Sequence, residues 1–272
     1  MITDESNLPE LPTGWVWTKV EEIGQIISGQ TPKGVNEYGS DGEIPYFKVG
    51  DMNKLGNETY MFYSDIALDL DVIDKLGLRI QNKGTVIFPK RGGAIGTNKK
   101  RILAQPSAYD LNIMGVYPLI MPYLFFYYWI LSVNLITLSD GSNVPQINHK
   151  DIRPLRFPLS PLPEQHRIVA KIEELFTKLD AGLVELKKVK AQLKQYRQAV
   201  LKHAFEGKLT AEWRETHKNE LEPASILLER LKEGRKKNAK GKYKELPPLD
   251  TSDLPELPEG WVWSSLEYYC KK

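Results

Sequence analysis

The stretch from residue 163 to about residue 206 most constrains the fold. It has no internal proline, and its apolar residues are spaced alternately four and three apart. This spacing is typical of a coiled-coil seam and is narrower than the apolar stripe of a helix on a globular surface. At a rise of 1.5 Å per residue the predicted helix is roughly 65 Å long. Such a helix needs a partner to cover its seam.

We therefore predict a dimerisation surface along this helix. Gly182 and His203 also fit the spacing but are weak seam residues, and a glycine inside a helix costs about 1 kcal/mol relative to alanine. The alternative is a long helix lying along its own domain, but a spacer or dimerisation helix suits the spacing better. The predicted dimerisation residues are Ile168, Ile172, Leu175, Leu179, Leu186, Val189, Leu193, Tyr196 and Val200.

A ten-residue motif occurs twice and sets the domain organisation. Residues 8–17 read LPELPTGWVW and residues 254–263 read LPELPEGWVW, so only Thr13 and Glu259 differ. A repeat of this kind predicts one structural unit followed by the start of a second copy. The predicted domains are a first unit at 1–158, a spacer helix at 159–208, a short helix and basic linker at 209–253, and the beginning of a second repeat at 254–272. We expect Trp261 and Trp263 of that second copy to dock on a helical region or to be mobile.

The first unit is predicted to be a mixed α+β domain of the α/β class, followed by the long coiled-coil helix. Glycine and proline recur along it about every ten residues, which favours short strands joined by turns. Strands are predicted at residues 26–28, 44–49, 85–89, 111–117 and 154–158, and a helix at 64–77. The uncharged run between Asp110 and Asp140 is interrupted by Pro118 and Pro122, so we interpret it as a buried strand and helix rather than a membrane span.

Composition narrows the choice of function. The formal net charge is +2, but residues 230–244 contain eight lysines or arginines and one acid, a block that is usually solvated and also attracts phosphates. Cys270 is the only cysteine, which excludes an intrachain disulfide and suits a reducing compartment. The polar N-terminus lacks the features of a signal peptide.

No catalytic or metal-binding set is recognisable in the sequence. Residues 92–96 are rich in glycine but are followed by Thr97 and Asn98 rather than by the lysine of a phosphate-binding loop. There is no GxGxxG motif and no adenine-methyltransferase motif. Four scattered histidines and one cysteine do not make a structural zinc site.

Three polar turns are instead candidates for binding DNA. Glycines let a backbone approach a phosphate, clustered cations release counterions, and Asn, Gln, Arg and Lys side chains can contact base edges. The alternative is that each turn is an ordinary solvated loop. The candidate DNA-binding residues are Ser28, Gln30, Thr31 and Lys33 in the first turn, Lys90, Arg91, Gly92, Gly93, Lys99, Lys100 and Arg101 in the second, and Asn143, Gln146, Asn148 and Lys150 in the third.

Residues 141–169 carry a resemblance to a known family. The run contains Gly-Ser at 141–142, Gln-Ile-Asn at 146–148, Asp-Ile at 151–152 and Pro-Leu-Pro-Glu-Gln-His-Arg-Ile-Val at 161–169. It resembles the junction in specificity subunits of type I restriction–modification systems, where a target recognition domain ends and a conserved spacer helix begins. Further matches lie at residues 11–15, 29–32, 44–51 and 91–96, and the internal repeat fits a family built from two such units.

The resemblance implies a non-catalytic DNA-recognition subunit in the cytoplasm of a prokaryote. Each recognition domain of the family reads one half of a bipartite double-stranded DNA target, and the two conserved helices pair antiparallel. The implied partners are a modification subunit, which binds S-adenosylmethionine and methylates adenine, and in some complexes a restriction subunit. No cofactor is expected in this chain itself.

The chain has one recognition domain and one spacer helix, so we expect either a half-length subunit that forms a homodimer or a fragment of a longer one. A coiled-coil assembly scaffold without DNA recognition is the competing hypothesis. A nuclease or methyltransferase with a degenerate site is a third hypothesis, which the missing motifs disfavour.

Overall fold

The computed structural model describes residues 8–238 and 247–266. Part of the predicted basic linker and the end of the second repeat lie outside the described residues. The strands are β1 (Val16–Lys19), β2 (Gly24–Ser28), β3 (Ile44–Phe47), β4 (Tyr60–Met61), β5 (Ile66–Leu68), β6 (Val86–Pro89), β7 (Arg101–Leu103), β8 (Ala108–Tyr109), β9 (Ile113–Pro118) and β10 (Arg156–Leu159).

The helices follow the predicted change from a mixed domain to a long helix. They are α1 (Val20–Ile23), α2 (Leu70–Leu76), α3 (Tyr123–Leu131), α4 (His149–Ile152), α5 (Leu162–Phe205), α6 (Ala211–Thr216) and α7 (Ala224–Asn238). Within the described ranges, no helix has both the length and the apolar character needed to cross a bilayer. The mixed fold class and the long helix are thus confirmed.

The main sheet has the strand order β2-β9-β6-β7-β4. All neighbours are antiparallel except β4 and β7, which run parallel. Its central strands β6 and β9 are buried along almost their whole length, and α3 packs its aromatic residues against the same core. Phe157 of β10 completes this core, with its ring centroid 4.8 Å from that of Trp129. The uncharged run at 111–139 therefore folds as the predicted buried strand and helix.

A smaller sheet, in the order β5-β3-β8, carries α2 on its own apolar cluster. The helix predicted over residues 64–77 is therefore only partly correct, because its first part forms strand β5. Ile66 and Leu68 are buried beside β3, and α2 begins only after Asp69. Gly77 ends α2 in the left-handed conformation with φ 62°, which glycine adopts without steric cost.

The start of α5 packs on the mixed domain. Val169 and Gln165 are buried, and Ile168 lies against the main core. Trp15 donates its indole N–H to the Glu164 carboxylate across 3.0 Å, and β1 pairs antiparallel with β10 just before the helix. By compactness the chain divides into two units inside α5, Met1–Lys178 and Leu179–Lys272.

The second unit contains the end of α5, which Gly207 terminates in the left-handed conformation with φ 69°. The repeated motif forms the same tryptophan-to-carbonyl hydrogen bond in both copies. Trp17 donates to the Pro9 carbonyl at 3.2 Å, and Trp263 donates to the Pro255 carbonyl at 3.1 Å. In the second copy Trp261 lies beneath the guanidinium of Arg214 on α6, at 5.7 Å from the ring centroid. Trp261 thus contacts a helix of its own chain, which is one of the alternatives expected for the second copy.

Candidate nucleic-acid interface

The three predicted polar turns meet at a cluster of side chains. The ammonium of Lys90, at the end of β6, donates to the Ser28 hydroxyl at 3.0 Å. The same hydroxyl lies 3.0 Å from Nε2 of His149, the first residue of α4. Ser28 and His149 are 121 positions apart in the chain, so only the folded domain brings the turns together.

The backbone also holds the second and third turns together. The Ile147 N–H donates to the Lys90 carbonyl at 2.9 Å, and the Gly92 N–H donates to the Pro145 carbonyl at 2.8 Å. Between these bonds, Arg91 and Gln146 form an isolated antiparallel bridge. Gln146 donates its side-chain amide to Asn148, whereas Asn143 and Lys150 are exposed. The candidate residues at 90–92 and 145–150 are therefore parts of one surface.

The first turn is fixed against the domain. Gly29 packs so closely against the connection between β8 and β9 that a Cβ atom on Gly29 would lie 2.0 Å from the Asp110 carbonyl oxygen. The Gln30 side chain donates to the Gly77 carbonyl and accepts from the Arg79 backbone N–H. Thr31 accepts the Leu111 N–H at 3.0 Å. Gln30 and Thr31 thus already have partners within the domain, and Lys33 is the exposed cation of this turn.

The glycine-rich loop forms a 3-10 helix, Gly92–Thr97, between β6 and β7. Gly92 has φ 71° and Gly93 has no neighbouring atom within reach of an added Cβ. Arg91 is exposed and Lys99 is half-exposed beside the Asn53 side chain. The loop therefore offers Arg91, Lys99 and a smooth glycine backbone to a ligand.

Lys100, one of the predicted DNA-binding residues, is not part of this exposed surface. It is only 1% exposed, and its ammonium donates to Asn98 Oδ1 at 2.8 Å and to the Val133 carbonyl at 2.6 Å. Burial lowers the pKa of Lys100 to about 8. Asn98 Oδ1 also accepts the Leu135 N–H. Lys100 therefore ties the glycine-rich loop to the segment after α3.

Arg101 is half-buried and also has internal partners. It donates to the carbonyls of Lys100 and Met52, and burial lowers its pKa. The adjacent cations Lys100 and Arg101 therefore both hydrogen-bond to groups within the domain. The exposed positive charge of the second turn comes from Lys90, Arg91 and Lys99.

The meeting point of the turns is electropositive. Partial burial lowers the pKa of Lys90 and the adjacent Arg91 lowers it further, while Asp110 opposes that shift. Partial burial also lowers the pKa of His149, and Arg153 and Lys90 add to the effect. Across the described ranges, none of the ion pairs includes Lys90, Arg91 or Arg153. Cations without an ion-pair partner that cluster at a junction of loops attract phosphates.

Arg153 is not among the candidate residues, and the sequence places His149 in the third polar turn without predicting that it binds DNA. The only sequence signal was the position of His149 inside the third polar turn, next to Asn148 and Lys150. Its contact with Ser28 depends on the pairing of distant strands. Sequence spacing alone does not indicate such a contact.

The predicted dimerisation positions fall into two groups. Ile168 and Ile172 are half-buried, and Ile168 packs against the core of its own domain. The later positions are largely exposed: Leu175 at 51%, Leu179 at 60%, Leu186 at 66%, Val189 at 46%, Leu193 at 56% and Tyr196 at 68%, whereas Val200 is half-buried. The apolar seam is thus uncovered from Leu175 to Tyr196.

Comparison with known proteins identifies one family. The sequence profile described as "Type I restriction modification DNA specificity domain" matches residues 12–194. The chain is 25% identical over 258 residues to the type I restriction enzyme EcoDI specificity subunit of Escherichia coli, covering 93% of this chain and 48% of that protein. It is 28% identical over 233 residues to the EcoBI specificity subunit of Escherichia coli, covering 82% and 48%. The chain thus spans about half the length of the curated relatives it matches.

Solved structures share the fold. The HsdS subunit from Thermoanaerobacter tengcongensis superposes with a TM-score of 0.53 at 23% identity, covering 72% of this chain and 46% of that one. A chain described under "Structural basis underlying complex assembly and conformational transition of the type I R-M system" gives a TM-score of 0.56 at 21% identity, covering 75% and 48%. At these identities the similarity concerns the arrangement of the mixed domain and the long helix.

Proposed function

This chain belongs to the family of type I restriction–modification DNA specificity domains, and we propose that it directs such a complex to a specific DNA sequence. The observation that carries the proposal is the match of the family to residues 12–194, together with the meeting of three polar turns at an electropositive surface. In this proposal the recognition domain reads one half of a bipartite double-stranded DNA target.

The DNA-binding surface consists of the exposed parts of the three turns. Arg91, Lys99 and Lys90 supply positive charge that neutralises phosphates, and such contacts position a protein on the duplex. Asn143, Gln146 and Asn148 supply amide groups of the kind that distinguish bases in the major groove. The glycine backbone at 92–93 allows close approach, because no side chain blocks it.

The chemistry belongs to partner subunits in this proposal, so the chain is not itself an enzyme. A modification subunit binds S-adenosylmethionine and methylates adenine in the target, and a restriction subunit joins when DNA is to be cleaved. The chain itself holds no cofactor, and the complex works in the prokaryotic cytoplasm where host DNA lies. Family membership supports these assignments, because the relatives are named as specificity subunits of restriction enzymes.

The exposed seam of α5 supports assembly as a homodimer. Burying one leucine or isoleucine side chain contributes about 1.5–3 kcal/mol, so a helix partner along Leu175–Tyr196 would stabilise the chain substantially. We propose that the partner is α5 of a second copy, packed antiparallel. A two-fold axis then relates the two recognition domains.

The alternative function, a coiled-coil scaffold without DNA recognition, also explains the exposed seam. Salt dependence separates the two functions. A protein that neutralises phosphates loses affinity for B-DNA with a logarithmic slope of about −0.9 per phosphate contact. Binding of the chain to short duplexes, measured at several salt concentrations by fluorescence anisotropy with and without its modification subunit, should show a steep slope. Absence of binding to any duplex in either form would contradict DNA recognition and favour the scaffold.

A further inference from the structure

Ser28, Lys90 and His149 form a hydrogen-bonded trio, and the proton on His149 decides which side chain donates a hydrogen bond and which accepts it. A serine hydroxyl has one hydrogen to donate and two lone pairs. Lys90 donates to the Ser28 oxygen at 3.0 Å, and His149 Nε2 lies 3.0 Å from the same oxygen. When His149 is neutral with Nε2 unprotonated, the hydroxyl must donate its hydrogen to this nitrogen. Ser28 then has no hydrogen left to donate to an incoming ligand.

Protonation of His149 reverses this arrangement. With a proton on Nε2, both Lys90 and His149 donate to Ser28, and the two lone pairs of the oxygen accept them. The Ser28 hydrogen is then free to turn away from the histidine. The trio becomes two cations and one hydroxyl donor converging on one place, a combination that binds an anionic oxygen through charge-assisted hydrogen bonds.

The surrounding charges oppose this state in the absence of an anion. Arg153, which directly follows α4, and Lys90 both disfavour a positive His149, and Arg91 lies beside Lys90. The carboxylates nearby have other partners. Asp151 accepts the Asn148 N–H at 2.7 Å, and Asp110 accepts the backbone and side-chain N–H groups of Asn112. An anion from outside would supply the missing negative charge.

We propose that Ser28, Lys90 and His149 form a proton-linked subsite for a phosphate oxygen of the DNA backbone, in which His149 takes up a proton from solvent as DNA binds. This inference rests on the proposed DNA-recognition function and adds a regulation to it. Because the bound state holds one more proton than the free state, affinity for DNA increases as the pH falls through the range in which His149 titrates. The phosphate contact is independent of base sequence.

The direct test follows the imidazole of His149 by NMR in the full chain. The Hε1–Cε1 signal, assigned by its loss in His149→Gln, is titrated between about pH 5 and pH 8.5, a range that spans ordinary histidine pKa values. The titration is done for the free protein, with a short DNA duplex, and with inorganic phosphate. We expect a pKa below the ordinary histidine value in the free protein and a higher value with the duplex.

Binding measurements provide the matched comparison. His149→Gln retains a hydrogen-bonding side chain but cannot take up the proton, so it should bind the duplex about tenfold more weakly than wild type near pH 6 and lose the pH dependence. Ser28→Ala should lower the affinity at all pH values. His166→Gln, the same change at an exposed histidine on α5, should behave like wild type.

The outcomes separate this inference from the function on which it rests. Steep salt dependence in wild type, with a His149 titration that the duplex leaves unchanged, would overturn the subsite and leave DNA recognition intact. A shift with inorganic phosphate but none with the duplex would indicate a free-anion site and also overturn the proposal. Failure of wild type to bind any duplex would overturn the function and the subsite together.

Discussion

Lys100 shows that a lysine in a basic loop can stabilise the fold through internal hydrogen bonds rather than bind a ligand. Its ammonium spans the Asn98 side chain and the Val133 carbonyl while only 1% of the residue is exposed. Asn98 has φ 53° and is the only residue other than glycine with positive φ within the described ranges. Asn tolerates this conformation better than most residues. The pair Asn98 and Lys100 therefore positions the glycine-rich loop that carries Arg91 and Lys99.

The titration of Lys100 predicts a specific pH dependence of stability. Burial lowers its pKa from 10.5 to about 8, so the unfolded chain binds more protons than the folded one between these values. The free energy of unfolding should therefore rise with pH in this window. Relative to Lys100→Met, which cannot titrate, wild type should gain about 2 kcal/mol between pH 7 and pH 9.5 in urea unfolding. Wild type and Lys99→Met both keep Lys100 and should show the same rise, and an equal rise in Lys100→Met would contradict the burial of Lys100.

Arg91 gives the residue-scale prediction for DNA binding. It is exposed and has no ion-pair partner in the described part of the chain. Arg91→Ala should weaken duplex binding and reduce the salt slope by about one. Lys188→Ala removes an exposed lysine from α5 and should leave the slope unchanged. An unaltered slope in Arg91→Ala would remove the second turn from the interface.

At the scale of elements, α5 has two different surroundings along its length. Its first turns are packed on the recognition domain through Val169 and Ile168, whereas the seam from Leu175 to Tyr196 is exposed. Several exposed ion pairs also lie along it, such as Lys178 with Glu174, and pairs of this kind contribute only about 0.3–0.5 kcal/mol each to a helix. The uncovered apolar seam is therefore the feature on which the proposed homodimer rests.

Leu186→Glu tests the seam directly. Leu186 lies near its middle and is 66% exposed in the single chain, so a carboxylate there should leave the folded monomer intact but disrupt a helix pair. We expect sedimentation velocity to show a dimer for wild type at micromolar concentration and a monomer for Leu186→Glu. Gln192→Glu adds the same charge at an exposed position off the seam and should remain dimeric. A well-folded wild-type monomer at these concentrations would contradict the homodimer.

At the scale of the whole molecule, the sequence predicted those features that depend on local pattern. The long helix, predicted over residues 163–206, is observed at Leu162–Phe205, because its apolar spacing, its starting prolines and the terminating Gly207 all act locally. Strands at the predicted positions 26–28 and 85–89 both belong to the main sheet, as its edge strand β2 and its central strand β6. The match of residues 12–194 to the specificity family confirms the resemblance seen at residues 141–169.

Features that depend on distant pairing were not predictable from the same sequence. Residues 66–68 were predicted to be helical, but they form strand β5 because they pair with the distant strand β3. The sequence pattern does not show this pairing. Lys99 and Lys100 look equivalent in sequence, and only the segment after α3 decides that Lys100 is buried. The contact of His149 with Ser28 likewise arises from the folded sheet. For the candidate interface, the sequence identified the three turns but not which side chains have internal partners.

Methylome sequencing tests the central claim of sequence-specific DNA recognition most directly. A host that lacks other adenine methylation would express the full chain together with the modification subunit proposed as its partner. We expect methylated adenines within one bipartite motif whose two halves are inverted repeats, because identical recognition domains related by a two-fold axis require inverted half-sites. We also expect the motif to disappear with Leu186→Glu. A genome without any motif that depends on the chain, while the modification subunit is active with another specificity subunit, would contradict the account.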